Sequence, residues 1–266
     1  MQSIQIFVRD LVESRELIFQ LAKRDLQQQI QGSYLGWLWT FIHPLLFVTV
    51  LYIIFAMGLR MGASMDMPFE LYLICGMIAW MYFSENVSSG AGSIKAYSFL
   101  VKKIDFRLSM LPIIKLCASL VPHIALIMVG VVICWIQGYA PSLFTLQIFY
   151  YLFSMMCLLL GIGWMTSSSS IFIKDISNVI TVVLQFGFWL TPIFWNVSIV
   201  PERYSWIVFC NPAAYIVNGY RDSLVAQVPF WERGLETFCF WIVTAFFLLV
   251  GIIVYRRLRP HFAEVI

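Results

Sequence analysis

Acid–base or nucleophilic chemistry needs polar groups that can be brought within hydrogen-bond reach of each other. Inside the apolar stretches of this 266-residue chain only His43, His123 and Glu85 qualify, and each belongs to a different stretch. An intramembrane acyl- or glycosyltransferase needs such groups clustered, so their scatter argues against that class. His43 precedes Pro44, which is expected to kink its helix, and reads as a packed polar group. His123 follows Pro122. It is either functional, the default for an ionisable group at membrane depth, or a partner for backbone freed by the proline. The run Thr166-Ser167-Ser168-Ser169-Ser170 has no base at a defined spacing and reads as helix packing. Cys75, Cys117, Cys134, Cys157, Cys210 and Cys239 show no CxxC or metal-like spacing and behave as small hydrophobes. There is no GxxxxGK[ST], HExxH or GxSxG, hence no P-loop, zinc-protease helix or nucleophile elbow. No metal or cofactor is expected on this chain.

The elements that carry these groups follow from composition. The chain is 61% hydrophobic and 12% charged, against about 25% charged in soluble domains. It is therefore expected to be an all-α integral membrane protein. Apolar runs near the length a bilayer demands fall at 37–59, 69–87, 108–136, 147–173, 176–194 and 237–255, which predicts six transmembrane helices. Residues 1–31 read as an N-terminal amphipathic interface helix, with Ile4, Phe7, Leu11, Ile18 and Leu21 at helical spacing. Its charges argue against a signal peptide. Residues 32–258 form the transmembrane domain and 259–266 a tail.

Charge sets the orientation. With both termini on one side, that side collects 13 of the 17 basic residues and leaves Arg60, Arg203, Arg221 and Arg233 opposite. The basic side is assigned to the cytoplasm. The loop 94–107, with Lys95, Lys102, Lys103 and Arg107, lies there and could meet anionic lipid heads, dock a partner or simply mark topology. Lys115 is expected to snorkel to the same surface.

From Gly187 to Asp222 the pattern breaks at Thr191-Pro192, Asn196 and Pro201, and two apolar runs too short to span follow, split by Asn211-Pro212. This predicts a re-entrant helical hairpin over 197–226, entering from the outer side before the last span, with Pro201, Asn211 and Pro212 at its turns. Broken backbone survives at that depth only where protein or a water-filled cavity covers it, so the stretch points to a transport pathway. A passive channel would need a ring-forming filter motif, and none is present.

Several motifs carry a resemblance. Gly32-Ser33-Tyr34-Leu35-Gly36-Trp37-Leu38-Trp39 with His43-Pro44-Leu45, Phe172-Ile173-Lys174-Asp175-Ile176, Thr191-Pro192-Ile193, Val200-Pro201-Glu202-Arg203-Tyr204, Asn211-Pro212-Ala213 and Arg259-Pro260-His261-Phe262-Ala263-Glu264 occur in order across the chain. Together they resemble the membrane subunit of ABC-2 type polysaccharide export permeases of the O-antigen kind. Gln27-Gln28-Gln29-Ile30-Gln31 departs from the family pattern, which carries basic residues before the Gly-Ser turn.

The resemblance implies a homodimer with two copies of a separate ATPase, which would hold the ATP and magnesium. It implies export of an undecaprenyl-diphosphate-linked polysaccharide across the inner membrane of a Gram-negative bacterium, with no nucleic acid involved. The basic loop would be the coupling element, and the first and fifth spans would line the channel. Aromatic side chains can stack on sugar faces, which makes Tyr34, Trp37, Tyr52, Trp189, Phe194 and Trp195 candidates for the glycan channel. Lys23 and Arg24, with Lys102 and Lys103, are candidates for the lipid diphosphate. The same architecture would also suit capsule, teichoic acid, lipid or drug as cargo.

Overall fold

The structure, a computed structural model, describes residues 9, 13–30, 34–58, 67–98 and 108–265. The described residues form helices and turns, with no strand among them. Helix α1 is Arg15–Ile30. Helix α2, Trp39–Tyr52, continues as a π-helical segment through Gly58. Helix α3 is Phe69–Ala91, α4 is Leu111–Ile136, α5 is Gln147–Phe172 and α6 is Ile176–Leu190. Two short helices follow, α7 (Ser205–Phe209) and α8 (Pro212–Arg221), before the long α9 (Gly234–Leu258).

Four helical stretches among the described residues are long and apolar enough to cross a membrane: Trp39–Gly58, Leu108–Ile136, Leu143–Phe172 and Phe230–His261. Helix α3 has 23 residues, but Glu85, Asn86 and three serines near its end dilute its hydropathy. Helix α6 stops at Leu190 rather than at residue 194, because a residue before proline is pushed out of the helical region and Thr191, before Pro192, adopts extended backbone.

Local signals explain other boundaries. Ser142 Oγ accepts from the Phe144 N–H while Thr145 Oγ1 accepts from the Ser142 N–H, a reciprocal cap that opens the turn leading into α5. Gly138, at φ 95°, ends α4 in the left-handed region that glycine adopts without strain. Helices α2 and α4 continue through Pro44 and Pro122. Neither proline can donate to the carbonyl four residues back, which leaves those of Thr40 and Ala118 without their helical bond.

The main core is built on α3, whose Leu71, Leu73, Cys75 and Ala79 are almost wholly buried, and on Tyr151, Met155 and Leu158 of α5. Helix α9 crosses α5 with almost no side chain between them. A Cβ placed at Gly161 would lie 2.6 Å from the Leu248 nitrogen, and Gly251 faces the Gly161 carbonyl. A second, smaller core lies under α1, where Ile18, Leu21 and Ala22 pack with Ile114 and Ala118 of α4. The serine run behaves as packing. Ser170 Oγ donates to the Ala91 carbonyl at 2.7 Å, and Ser168 and Ser169 bond one turn back.

Three of the long helices remain largely uncovered among the described residues, α2, α6 and α9, the last burying only Phe240, Thr244, Gly251 and Tyr255. Helix α2 buries only Pro44 and Leu51, and α6 only Ile180.

Candidate functional site

The broken stretch after α6 is tied to α3 by Arg221 and by the Tyr72 hydroxyl, which donates to the Trp195 carbonyl at 2.7 Å. Arg221, 3% exposed at the end of α8, donates to the Tyr72 carbonyl (3.1 Å), the Ile193 carbonyl (2.9 Å) and Asn218 Oδ1 (2.9 Å). Its guanidinium lies 3.4 Å from the centre of the Tyr72 ring. Gly76 makes room for it, since a Cβ there would meet Nη2 at 2.7 Å. The planar fork thus answers two carbonyls and an amide at once. The neighbouring carboxylate, Asp222, pairs instead with Arg233, which also reaches Glu236. Asn211 caps α8: Oδ1 accepts from the Ala213 N–H, Nδ2 donates to Thr191 Oγ1, and Pro212 fills the first helical position. Pro201 precedes the short turn Glu202–Tyr204.

Beside this knot lies an aromatic cluster. Phe194 stacks near Phe55 at 4.5 Å and meets Phe188 and Trp189. Trp195 Nε1 donates to the Trp189 carbonyl at 3.0 Å. Of the aromatic candidates, Tyr34 is fully exposed and Trp189 is 55% exposed. Tyr52 and Trp195 are half-buried. Phe194 is buried, packed inward beneath Trp189. The side chain of Trp37 lies outside the described residues.

Trp189 continues a feature that the average hydropathy hides. Ser177, Asn178, Thr181 and Gln185 are exposed and share one face of the otherwise apolar α6, which at 3.6 residues per turn leads into Trp189. A search for helical periodicity within the span, rather than for its mean hydropathy, would have found it.

On α1, Asp25 is 5% exposed. It accepts the Tyr97 hydroxyl at 2.7 Å and stands 2.5 Å from Lys115 Nζ. Lys115 therefore does not snorkel; it turns inward to a carboxylate that the sequence places far away. Burial, and then the bond to Asp25, push the Tyr97 phenol well above its ordinary pKa, so it stays the donor. Tyr97 and Lys115 flank the basic loop. Lys95 is exposed on the short helix Ser93–Ala96, while Lys102, Lys103 and Arg107 lie outside the described residues. Lys23 and Arg24 are both exposed on α1.

The three scattered titratable groups converge. His43, Glu85 and His123 line one cavity of about 280 Å³ between α2, α3 and α4. His43 is exposed to it rather than packed. His123 is stacked on Tyr82 with ring centres 4.2 Å apart, and its Nε2 lies 2.7 Å from the Tyr220 hydroxyl.

Comparison with known proteins bears on all of this. Residues 16–225 match the family described as ABC-2 type transporter. The chain is similar to the O-antigen export system permease protein RfbA of Klebsiella pneumoniae, 26% identical over 94% of this chain and 95% of that protein. It is similar to RfbA of Myxococcus xanthus, 23% identical over 97% of this chain and 98% of that protein. It also resembles the polysialic acid transport protein KpsM of Escherichia coli, 23% identical over 88% and 90% of the two chains.

Proposed function

The chain belongs to the ABC-2 type transporter family, and from that premise we propose that it is the channel-forming subunit of an exporter for a lipid-linked polysaccharide of the O-antigen type. Membership makes it an integral membrane permease rather than an enzyme. In the proposed assembly two copies pair with two copies of an ATPase that holds ATP and magnesium. The glycan, carried on undecaprenyl diphosphate, crosses the bacterial inner membrane from cytoplasm to periplasm. Both termini are cytoplasmic, α3 and α6 complete six spans, and residues 197–226 re-enter the membrane from the periplasmic side. The basic loop 94–107 receives the ATPase stroke, and Lys23 and Arg24 meet the diphosphate.

The observation that carries this reading is the exposed polar stripe Ser177, Asn178, Thr181 and Gln185 on α6. Polar groups facing lipid are costly, so this face suits a wet pathway. Hydroxyl and amide groups that both donate and accept suit sugar hydroxyls without gripping them. Sparse burial of α2 and α6 supports a second copy facing them, with Trp189 and Tyr52 as sliding platforms for sugar rings.

The test is deletion and co-purification. Removing this chain from its bacterium should abolish surface polysaccharide and leave lipid-linked glycan inside. Co-expression with the ATPase encoded beside it should yield a two-plus-two complex whose hydrolysis responds to that glycan. Unchanged surface polysaccharide, or no ATPase bound, would overturn the proposal. Loss of a capsule rather than of O-antigen would reassign the cargo to the class named for the polysialic acid relative.

A further inference from the structure

A groove of about 490 Å³ runs between α1 and α4. From Arg15 to Leu26 it follows α1 for about 16 Å, and from Ile113 to Val121 it follows α4 for about 12 Å. Its walls are apolar, built from such side chains as Ile18 and Ala22 of α1 and Ile113 and Cys117 of α4. Phe19, 69% exposed, and Val121, 46% exposed, stand at its open side. The α4 wall belongs to the stretch Leu108–Ile136, long and apolar enough to cross a membrane, so the groove opens where lipid lies.

Its charge has one sign. Among the described residues two cations line the groove, Arg15 and Lys23, and no carboxylate does. Both are exposed, and neither is in an ion pair among the described residues. Glu13 and Glu16, also exposed on α1, do not line it. At 3.6 residues per turn Arg15 and Lys23 flank Phe19 on one face of α1, whereas Arg24 falls on the opposite face. Lys115 of α4 is engaged by Asp25.

These features discriminate among occupants. Spread over about 16 Å, the volume gives a mean cross-section of about 30 Å². A helix with its side chains is about 10–12 Å across, roughly three times that area, so a partner helix does not fit. One extended hydrocarbon chain does, and its reach in one leaflet is half of a hydrocarbon core about 30 Å thick. A neutral acyl chain leaves the cations unanswered, and a free phosphate leaves the apolar walls bare. A lipid with an anionic phosphate head answers both, through apolar burial and charge-assisted contacts. A polyisoprenoid carrier is branched along its length and far longer than the groove, whereas a glycerophospholipid chain matches it.

We propose that the groove between α1 and α4 is a binding site for an anionic glycerophospholipid of the surrounding membrane, with one acyl chain between the two helices and the phosphate at the edge formed by Arg15 and Lys23. The inference rests on the groove and not on the glycan-export reading. Lys23 is also the cation assigned above to the cargo's diphosphate, so the carrier lipid is the competitor that separates the two.

Photolabelling of the full chain in detergent micelles tests it. The probes are phosphatidylglycerol and phosphatidylcholine with identical acyl chains, one of which carries a diazirine, and labelled peptides are identified by mass spectrometry. Label from phosphatidylglycerol should fall on α1 and on residues 113–121 of α4, at least fivefold above that from phosphatidylcholine. The double variant Arg15→Gln with Lys23→Gln, which alters exposed side chains only, should reduce it fivefold or more. Val121→Trp, which fills the groove from α4, should do the same; should that variant fail to fold, the double variant decides alone. Unlabelled phosphatidylglycerol should compete, and undecaprenyl diphosphate at the same concentration should not. Equal labelling by the two lipids, label outside the groove, or label that survives the variants overturns the site. Displacement by undecaprenyl diphosphate also overturns it and assigns the groove to the carrier.

Discussion

The Asp25 carboxylate lies 2.5 Å from the Lys115 ammonium, and the Tyr97 hydroxyl donates to its other oxygen. One acidic residue of α1 thus ties down both flanks of the basic loop. Asp25→Ala leaves the half-buried Lys115 unpaired, which should cost less than the about 3–5 kcal/mol of a fully buried pair. Thermal unfolding of the purified chain should show a clear loss. The double variant Asp25→Ala with Lys115→Met should recover much of it, because removing both charges is often near neutral. Equal losses in single and double variants would show that the ion pair is not what holds α1 to α4.

Arg221 should tolerate no replacement that lacks its fork. Arg221→Lys keeps the charge but cannot reach Tyr72, Ile193 and Asn218 together. Each buried carbonyl left unbonded costs about 1–3 kcal/mol, so both Arg221→Lys and Arg221→Ala should lower the unfolding temperature. Protease cleavage between residues 196 and 211 should rise in step. A variant with wild-type stability would mean that the stretch after α6 is held by other contacts.

The polar stripe of α6 predicts a functional loss without a folding loss. Thr181→Val and Gln185→Leu alter exposed side chains and should leave expression and ATPase association within about twofold of wild type, as surface changes usually shift stability by no more than about 0.5 kcal/mol. Surface polysaccharide should fall severalfold. The control Val183→Leu, on the apolar side of the same helix, should export normally.

The crossing of α5 and α9 leaves no space for a side chain at Gly161. Gly161→Ala should reduce thermal stability by about 1–3 kcal/mol, as overpacking does, and Gly161→Leu should prevent a monodisperse detergent-solubilised protein from accumulating. Gly234→Ala, which meets open space, should be silent in the same assay.

How much of this the sequence disclosed depends on the range of the interaction. The apolar runs placed α2, α4, α5 and α9 within a few residues, because bilayer thickness imposes a length on each. Asn211-Pro212, read in the sequence as a hairpin turn, is where α8 starts, with Asn211 as its cap. Lys115 was misread because snorkelling is a local rule, while its partner Asp25 arrives from another helix through tertiary packing. The meeting of His43, Glu85 and His123 was illegible for the same reason: nothing in their spacing encodes how α2, α3 and α4 are arranged. The stripe on α6 was present in the letters but averaged away by hydropathy, which counts residues without regard to the face they occupy.

That stripe also bears on the life of a newly made chain. If two copies pair as proposed, a copy that has not met its partner presents Asn178 and Gln185 to hydrocarbon, where neither amide finds a hydrogen bond. The subunit therefore displays its own solitude. On the proposed pairing, membrane proteases that extract poorly inserted helices would have a mark to read on orphan copies, and assembly would cover it.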